Sequence, residues 1–497
     1  MAIELDDGCS ALDIHREVRC GVASALEIIT KLADRVAKLN PALNAIVGFD
    51  SAAAFEEARR VDRSIASGNV GPLAGVPFTV KDCLWVEGKR ATQGSLLFRD
   101  FIAPRDAIAV ERLRTAGAVF IGMTNCSEFA CKGVTNNLMY GITRNPWNLE
   151  RTPGGSSGGA ASAVAAGLSP LAVCTDSGGS TRRPAAMTGV VGMKPSAGLV
   201  PHAAGFEEPA FGNGVVGPMA RTMADVEAML KVIAGADARD PSSLGTGEAA
   251  ARLGSNLPAK APRIAYSERL GLELAIDPAV AAAVRGAVEK LRKAGMTIDD
   301  ADPKWPPGSN EAAFMPLQHA GLAALYGSRF RQEPDLFDPD IAVQIEAGLR
   351  LSGADVTRAL LLREQVTRSL AAFFAELDIL LCPTVPVTAW PVAELGPAEI
   401  GGQTVSTRAH AAFTPLFNHA GVPACSIPCG TAADGLPVGL QIVGSRLADA
   451  LVLSVGRRIE EILGRMPMPP GAWRKGAHGS TIGGKCDKGS EVHGSSA

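Results

Sequence analysis

Residues 153–195 read PGGSSGGAASAVAAGLSPLAVCTDSGGSTRRPAAMTGVVGMKP, and the fold turns on what the two glycine and serine clusters in this stretch are. As flexible linkers they would expose the apolar segments on either side and leave buried backbone groups unpaired, so shaped loops are expected instead. Ser157 to Leu168, rich in alanine, reads as a helix, and Leu171 to Thr175 reads as a short buried strand. In DSGGS, Gly178 and Gly179 carry no Cβ and tolerate positive φ, so the N–H groups of Ser177, Gly178, Gly179 and Ser180 can converge on one point. Such a nest suits an oxyanion hole, and a serine at its end is placed to attack a carbonyl carbon. Ser180 is therefore the candidate nucleophile. Asp176 and Arg182 bracket the loop and are expected to hold its shape by hydrogen bonds and an ion pair.

Working outward, further apolar stretches at Asn44 to Phe49, Val76 to Val80 and Val119 to Gly122 are short enough to be buried strands, with helical patterns between most of them. Ser24 with Glu27 forms a capping-box signature, and Leu26, Ile29, Leu32 and Val36 repeat at helical spacing until Pro41 is expected to stop them. Asp106 to Ala116 predicts a helix running into the strand at Val119. Asp277, Pro278 and Gly295 bound another helix. Helical stretches at about 311–326 and 356–377 precede a strand at Ile379 to Cys382. PACSIPCG and GLPVGLQIVG read as two strands joined by a turn at Gly435. The alternation predicts an α/β fold with a mixed or mainly parallel sheet. No internal repeat is found. Residues 1–470 are expected to form a single domain, and the Gly/Ser-rich stretch 471–497, which lacks periodicity, to be a disordered tail.

Of the 497 residues 46% are hydrophobic and 20% charged, with a net charge of −3. Dispersed basic residues without interleaved aromatics argue against nucleic-acid binding. The N-terminus lacks an apolar signal region, and no apolar run reaches the ~18 residues of a membrane span. Ten cysteines show no CxxC or zinc-finger spacing, so reduced, mostly buried thiols are expected, as in a cytoplasmic protein.

A serine nucleophile needs a base. None of the seven histidines lies near the clusters in sequence. Lysine can serve if burial lowers its pKa, and Lys81 follows the apolar run GVPFTV at the end of a strand. Gly155, Ser157 and Gly159 formally fit the GxSxG elbow of α/β-hydrolases, but that elbow needs a strand immediately before it, and Asn145 to Pro153 is polar and holds two prolines.

GVPFTVKD, TNCSEF, YGITRNPWN, PGGSSGGAASAVAAG, DSGGSTRRPAAMTGVVGMKP and GLPVGLQIVG, in this order, resemble the blocks of the amidase signature family over roughly residues 10–465, with the signature core at about 70–200. The resemblance implies a large mixed β-sheet flanked on both sides by helices. It further implies hydrolysis of a carboxylic amide through an acyl-enzyme on Ser180, with Ser156, on a cis peptide, and Lys81 as proton relay. No metal or organic cofactor is implied. The implied partner is a small-molecule amide, with neither nucleic acid nor membrane; a homodimer is compatible with this. The same family includes urea- and carbamate-type hydrolases and the glutamine-hydrolysing subunit of a tRNA-dependent amidotransferase. The acidic residue of that subunit is matched here by Ala411, before Phe413 and Thr414, and no paired arginine matches its glutamine-binding segment, so a stand-alone amidase is preferred. Thr181 and Arg183 depart from the usual apolar and polar residues of the signature, and Ser177 stands where threonine or isoleucine is common. Pocket residues are expected from Cys126 to Asn137, Phe206 to Phe211 and the helices between 310 and 375, with Phe129, Phe206 and Phe211 as candidates for an apolar wall.

Overall fold

The computed structural model describes residues 10–255 and 261–470; the expected disordered tail at 471–497 lies outside them. The first half of the chain runs α1 (Ala11–Arg19), α2 (Ala25–Leu43), β1 (Ile46–Phe49), α3 (Ser51–Ala66), β2 (Pro77–Lys81), α4 (Ile108–Thr115), β3 (Val119–Thr124), α5 (Gly158–Ala165), β4 (Leu171–Asp176), α6 (Arg182–Thr188), β5 (Val191–Lys194), β6 (Val215–Ala220), α7 (Met223–Ile233) and α8 (Gly247–Ala251). The second half continues with β7 (Ile264–Tyr266), α9 (Pro278–Lys293), β8 (Ile298–Asp300), α10 (Glu311–Gln332), α11 (Pro339–Leu349), α12 (Gly353–Glu376), β9 (Ile379–Pro383), the ribbon β10 (Glu399–Ile400) and β11 (Gln403–Thr404), α13 (Pro415–His419), β12 (Ala424–Thr431), β13 (Pro437–Gly444) and α14 (Asp449–Leu463).

Eleven of the strands form one sheet in the order β1-β3-β2-β4-β6-β5-β12-β13-β9-β7-β8. β2 lies parallel to both β3 and β4, and β7 to both β8 and β9, while the remaining pairs, including β4 with β6 and β12 with β13, are antiparallel. The sheet is therefore mixed rather than mainly parallel. Side chains of β4 alternate between its faces. Leu171 and Val173 join the large core that includes Val226 and Leu230 of α7. Ala172 and Cys174 join a second cluster with Ala161 and Ala165 of α5 and Ala185 of α6. Helices thus cover both faces of the central strands, and the alanines of α5 allow it to lie close against the sheet.

The capping box at Ser24 is present. Pro41 does not stop α2, which carries the proline within its last turn and ends at Asn44, in the left-handed conformation with φ 50° and its N–H bonded to the Asn40 carbonyl at 2.7 Å. α4 begins at Ile108 rather than Asp106 because the Asp106 carboxylate accepts from the Glu87 N–H, at 2.7 Å, instead of capping the helix. β5 to β8 and α11 were not anticipated; β6 contains Gly217 and Pro218, which by composition argue against a central strand. Among the described residues eight cysteines are unpaired, six of them buried, and no helix is long and apolar enough to cross a membrane.

Candidate active site

Parallel neighbours β2 and β4 end on the same side of the sheet, with Val80 opposite Val173, so the last residue of β2, Lys81, comes beside Thr175 near the end of β4. Lys81 is fully buried. Its Nζ donates to Ser156 Oγ at 2.7 Å and to Thr175 Oγ1 at 2.9 Å. Ser156, also fully buried, follows a cis peptide from Gly155. Gly155 is required by close approach: a Cβ there would lie 2.6 Å from the backbone N and O of Val134. No strand precedes Ser157, whose hydroxyl donates to the Thr175 carbonyl at 3.3 Å, so the segment is not a GxSxG elbow.

Ser180 sits on the loop after β4, tied to the Ser156 segment by the Ser157 N–H, which donates to the Ser180 carbonyl at 3.2 Å. The loop is braced from inside. Arg182 Nε and Nη2 each donate to one Asp176 oxygen at 3.0 Å, a bidentate pair with both side chains fully buried. Burial alone would raise the Asp176 pKa, but the Arg182 charge and hydrogen bonds from Arg182 and Asn418 override it and hold the carboxyl well below the ordinary range. Asn418 Nδ2 donates to the Asp176 carbonyl and Oδ1, while Arg182 Nη1 reaches Gln441 Oε1 at 2.7 Å and the Thr414 carbonyl at 3.2 Å.

Gly179 has φ +116°, and a Cβ there would meet Thr414 Oγ1 at 2.2 Å, so the loop needs glycine for both conformation and space. The Gly179 N–H does not point into open space. It donates to Asp176 Oδ1 at 2.6 Å, which leaves Ser177, Gly178 and Ser180 as the nest positions that carry the oxyanion proposal. On the outer side Ser177 Oγ donates to Glu208 Oε1 at 3.0 Å, Asn213 Nδ2 to the Ser177 carbonyl at 2.7 Å, and Thr414 Oγ1 to the Gly178 carbonyl at 2.8 Å. Burial pushes the Glu208 carboxyl up. Asp82, next to Lys81, is buried as well, and burial pushes its carboxyl up to about 7 against hydrogen bonds from Thr92.

Two adjoining clefts meet at this loop. One is lined by Ser180, Arg183, Phe314, Leu317 and Arg408, the other by Phe129, Phe206, Glu208, Gln93 and Thr175; Ser177, Cys131 and Gln318 line both. Phe129 and Phe206 therefore stand where expected. Phe211 does not: it is 44% exposed, carries φ 56°, and lines neither cleft. A larger cleft, about 890 Å³ and lined by residues of α4 and α7, is remote from these side chains. Thr175, Glu208, Thr414, Asn418 and Gln441 were not found from sequence, because the bonds that bring them to Lys81 and to the loop span 31 to 259 positions; Thr414, in the FT pair, and Gln441, in GLPVGLQIVG, had a motif as signal.

Residues 27–453 match the model of the amidase family. The chain belongs to that family. The chain is 37% identical to an acylamidase of Rhodococcus erythropolis, over 91% of this chain and 95% of that protein. It is also 36% identical to a glutamyl-tRNA(Gln) amidotransferase subunit from Symbiobacterium thermophilum, over 91% of this chain and 96% of that protein. Its structure is similar to that of a bacterial aryl acylamidase of the amidase signature enzymes, with TM-score 0.85 and 28% identity over 92% of this chain and 96% of that one. The amidase is thus a hydrolase of carbon–nitrogen amide bonds on a mixed α/β scaffold.

Proposed function

We propose that the protein is a stand-alone amidase, residues 10–470 acting as one catalytic unit, that cleaves a small carboxylic amide through an acyl-enzyme on Ser180. The observation that carries this reading is the buried contact of Lys81 Nζ with Ser156 Oγ at 2.7 Å, on a segment tied to the Ser180 loop by the Ser157 N–H. Among the described residues no carboxylate pairs with Lys81; its partners are hydroxyls, between which a proton can move.

In the proposed cycle Ser180 Oγ attacks the amide carbon and passes its proton to Ser156, which passes its own to Lys81 Nζ. The N–H groups of Ser177, Gly178 and Ser180 stabilise the oxyanion, an effect of several kcal/mol in comparable sites. The C–N bond then breaks as Ser156 returns a proton to the leaving nitrogen. Water attacks the acyl-enzyme by the same relay, releasing the acid and restoring Ser180. Asp176 and Arg182 touch no reacting atom; they fix the loop.

Against the amidotransferase alternative, Ala411 is a fully buried, uncharged residue where that subunit carries an acid, and Phe314, Leu317 and Pro415 give the cleft apolar wall. The deciding experiment assays purified protein for ammonia or arylamine release from primary amides, anilides, ureides and glutamine. Turnover of simple amides or anilides well above glutamine is expected, and turnover of glutamine alone would overturn the stand-alone reading. Ureide turnover alone would point instead to a urea-type hydrolase.

A further inference from the structure

Two adjacent arginines of α6 have opposite surroundings. Arg182 is fully compensated by Asp176. Arg183, only 5% exposed and lining the cleft with Ser180, pairs with no carboxylate among the described residues. Its Nε has no hydrogen-bond partner, and its Nη1 lies 3.5 Å from Nδ1 of His410. That ring is stacked on Trp390, and burial, then the charges of Arg183 and Arg408, hold its pKa well below the ordinary value, so it faces the guanidinium as a neutral acceptor. Glu311 is the acid whose charge acts most on Arg183, but it is bonded to Arg408, so two guanidiniums share one carboxylate, and Lys132 pairs with Asp338 at 2.5 Å and Asp340 at 3.3 Å. The wall beside the nucleophile therefore holds one surplus buried cation. A buried arginine that shares its counter-charge with a second arginine is costly, and the group that best completes it is a planar oxyanion, which a guanidinium binds through two parallel hydrogen bonds.

We propose that Arg183 is a specificity-determining residue that binds a carboxylate on the substrate, so that the preferred amide also carries an acid group, as in the half-amide of a dicarboxylic acid. This rests on the reading of Ser180 as nucleophile, since it is proximity to Ser180 that makes the guanidinium part of the substrate cleft.

The test uses the full chain and a matched pair, succinamate and butyramide, which differ by a carboxylate in place of a methyl group. N-acetylglycine, with its carboxylate on the amine half, reports which half Arg183 holds. Binding to Ser180→Ala is measured by calorimetry and turnover is measured on the unaltered protein. Succinamate or N-acetylglycine is expected to bind about tenfold or more tighter than butyramide, with the same order in KM, as for a charge-assisted bidentate pair. Arg183→Gln is expected to erase the difference and Arg183→Lys to retain part of it. Equal binding of all three amides, which needs no Arg183 variant to fold, would overturn the proposal while leaving the amidase reading intact. Undiminished turnover by Ser180→Ala would instead overturn the amidase reading on which the proposal rests.

Discussion

The loop after β4 and the helices α10 to α12, of which α10 lines the cleft beside that loop, are built on opposite terms. Between Gly158 and Lys194 nearly every side chain is buried; Asp176 and Arg182 are matched there, Lys194 donates to the Pro195 carbonyl, and Arg183 has no ion-pair partner among the described residues. Along α12 only Ala359, Val366, Leu370 and Phe374 are buried, and Leu361 is 54% exposed. The first region has no slack, so a change of one atom there is felt by the reacting groups. The second is a half-exposed wall whose outer face can change at little cost. In the proposed mechanism the chemistry sits on the rigid part, and substrate choice on the junction between the two.

The sharpest way to break this contrast is at the reacting groups. Ser180→Ala should abolish turnover, a fall in kcat on the order of 10⁴ or more, with Lys81→Ala close behind and Ser156→Ala leaving a small residue. Rates of the purified variants check this, and near-parental activity of Ser180→Ala would refute the assignment.

Next in size is the brace. Arg182→Met leaves the Asp176 carboxylate buried without its counter-charge and should cost about 3–5 kcal/mol in denaturant unfolding. A loss below ~1 kcal/mol would mean that Asn418 alone satisfies the carboxylate. The same pair makes a pH prediction. Because the folded state depresses the Asp176 pKa, its contribution is whole above the unfolded value of about 3.9 and is lost as pH falls through the lower folded value. The urea midpoint should therefore drop below pH 4, and drop less steeply in Asp176→Asn.

The smallest effect belongs to the outer wall. Ser352 caps α12 in a reciprocal box with Asp355, and Ser352→Ala should cost about 1 kcal/mol by thermal or chemical unfolding and leave kcat unaltered. A large loss of activity would show that α12 is coupled to the loop after all.

What was legible in the sequence was local or carried by a motif. The capping serine at residue 24, the helix bounded by Asp277 and Gly295, the hairpin turning at Gly435, and the strands of GVPFTV and LAVCT all depend on neighbours a few positions away, whose periodicity and turn chemistry can be read along the chain. The likeness of the Gly/Ser blocks to a known family singled out Lys81, Ser156 and Ser180, and two of these prove to touch. Pro41, Asp106 and Phe211 misled because each has a usual role that its surroundings here replace.

The amino-acid sequence by itself determined which segments could be buried and which loops needed glycine, since composition and spacing set those limits residue by residue, while resemblance to a family pointed to the serines and lysine. Only the tertiary structure decided that β6 and its proline lie next to β4, that Asp176 takes the Gly179 N–H, and that Arg182 is neutralised while Arg183 is not. The reason is physical: burial and charge compensation belong to pairs of groups, and Thr414, Asn418 and Gln441 reach Asp176 and Arg182 from more than 230 residues away, a distance over which no local pattern specifies a partner.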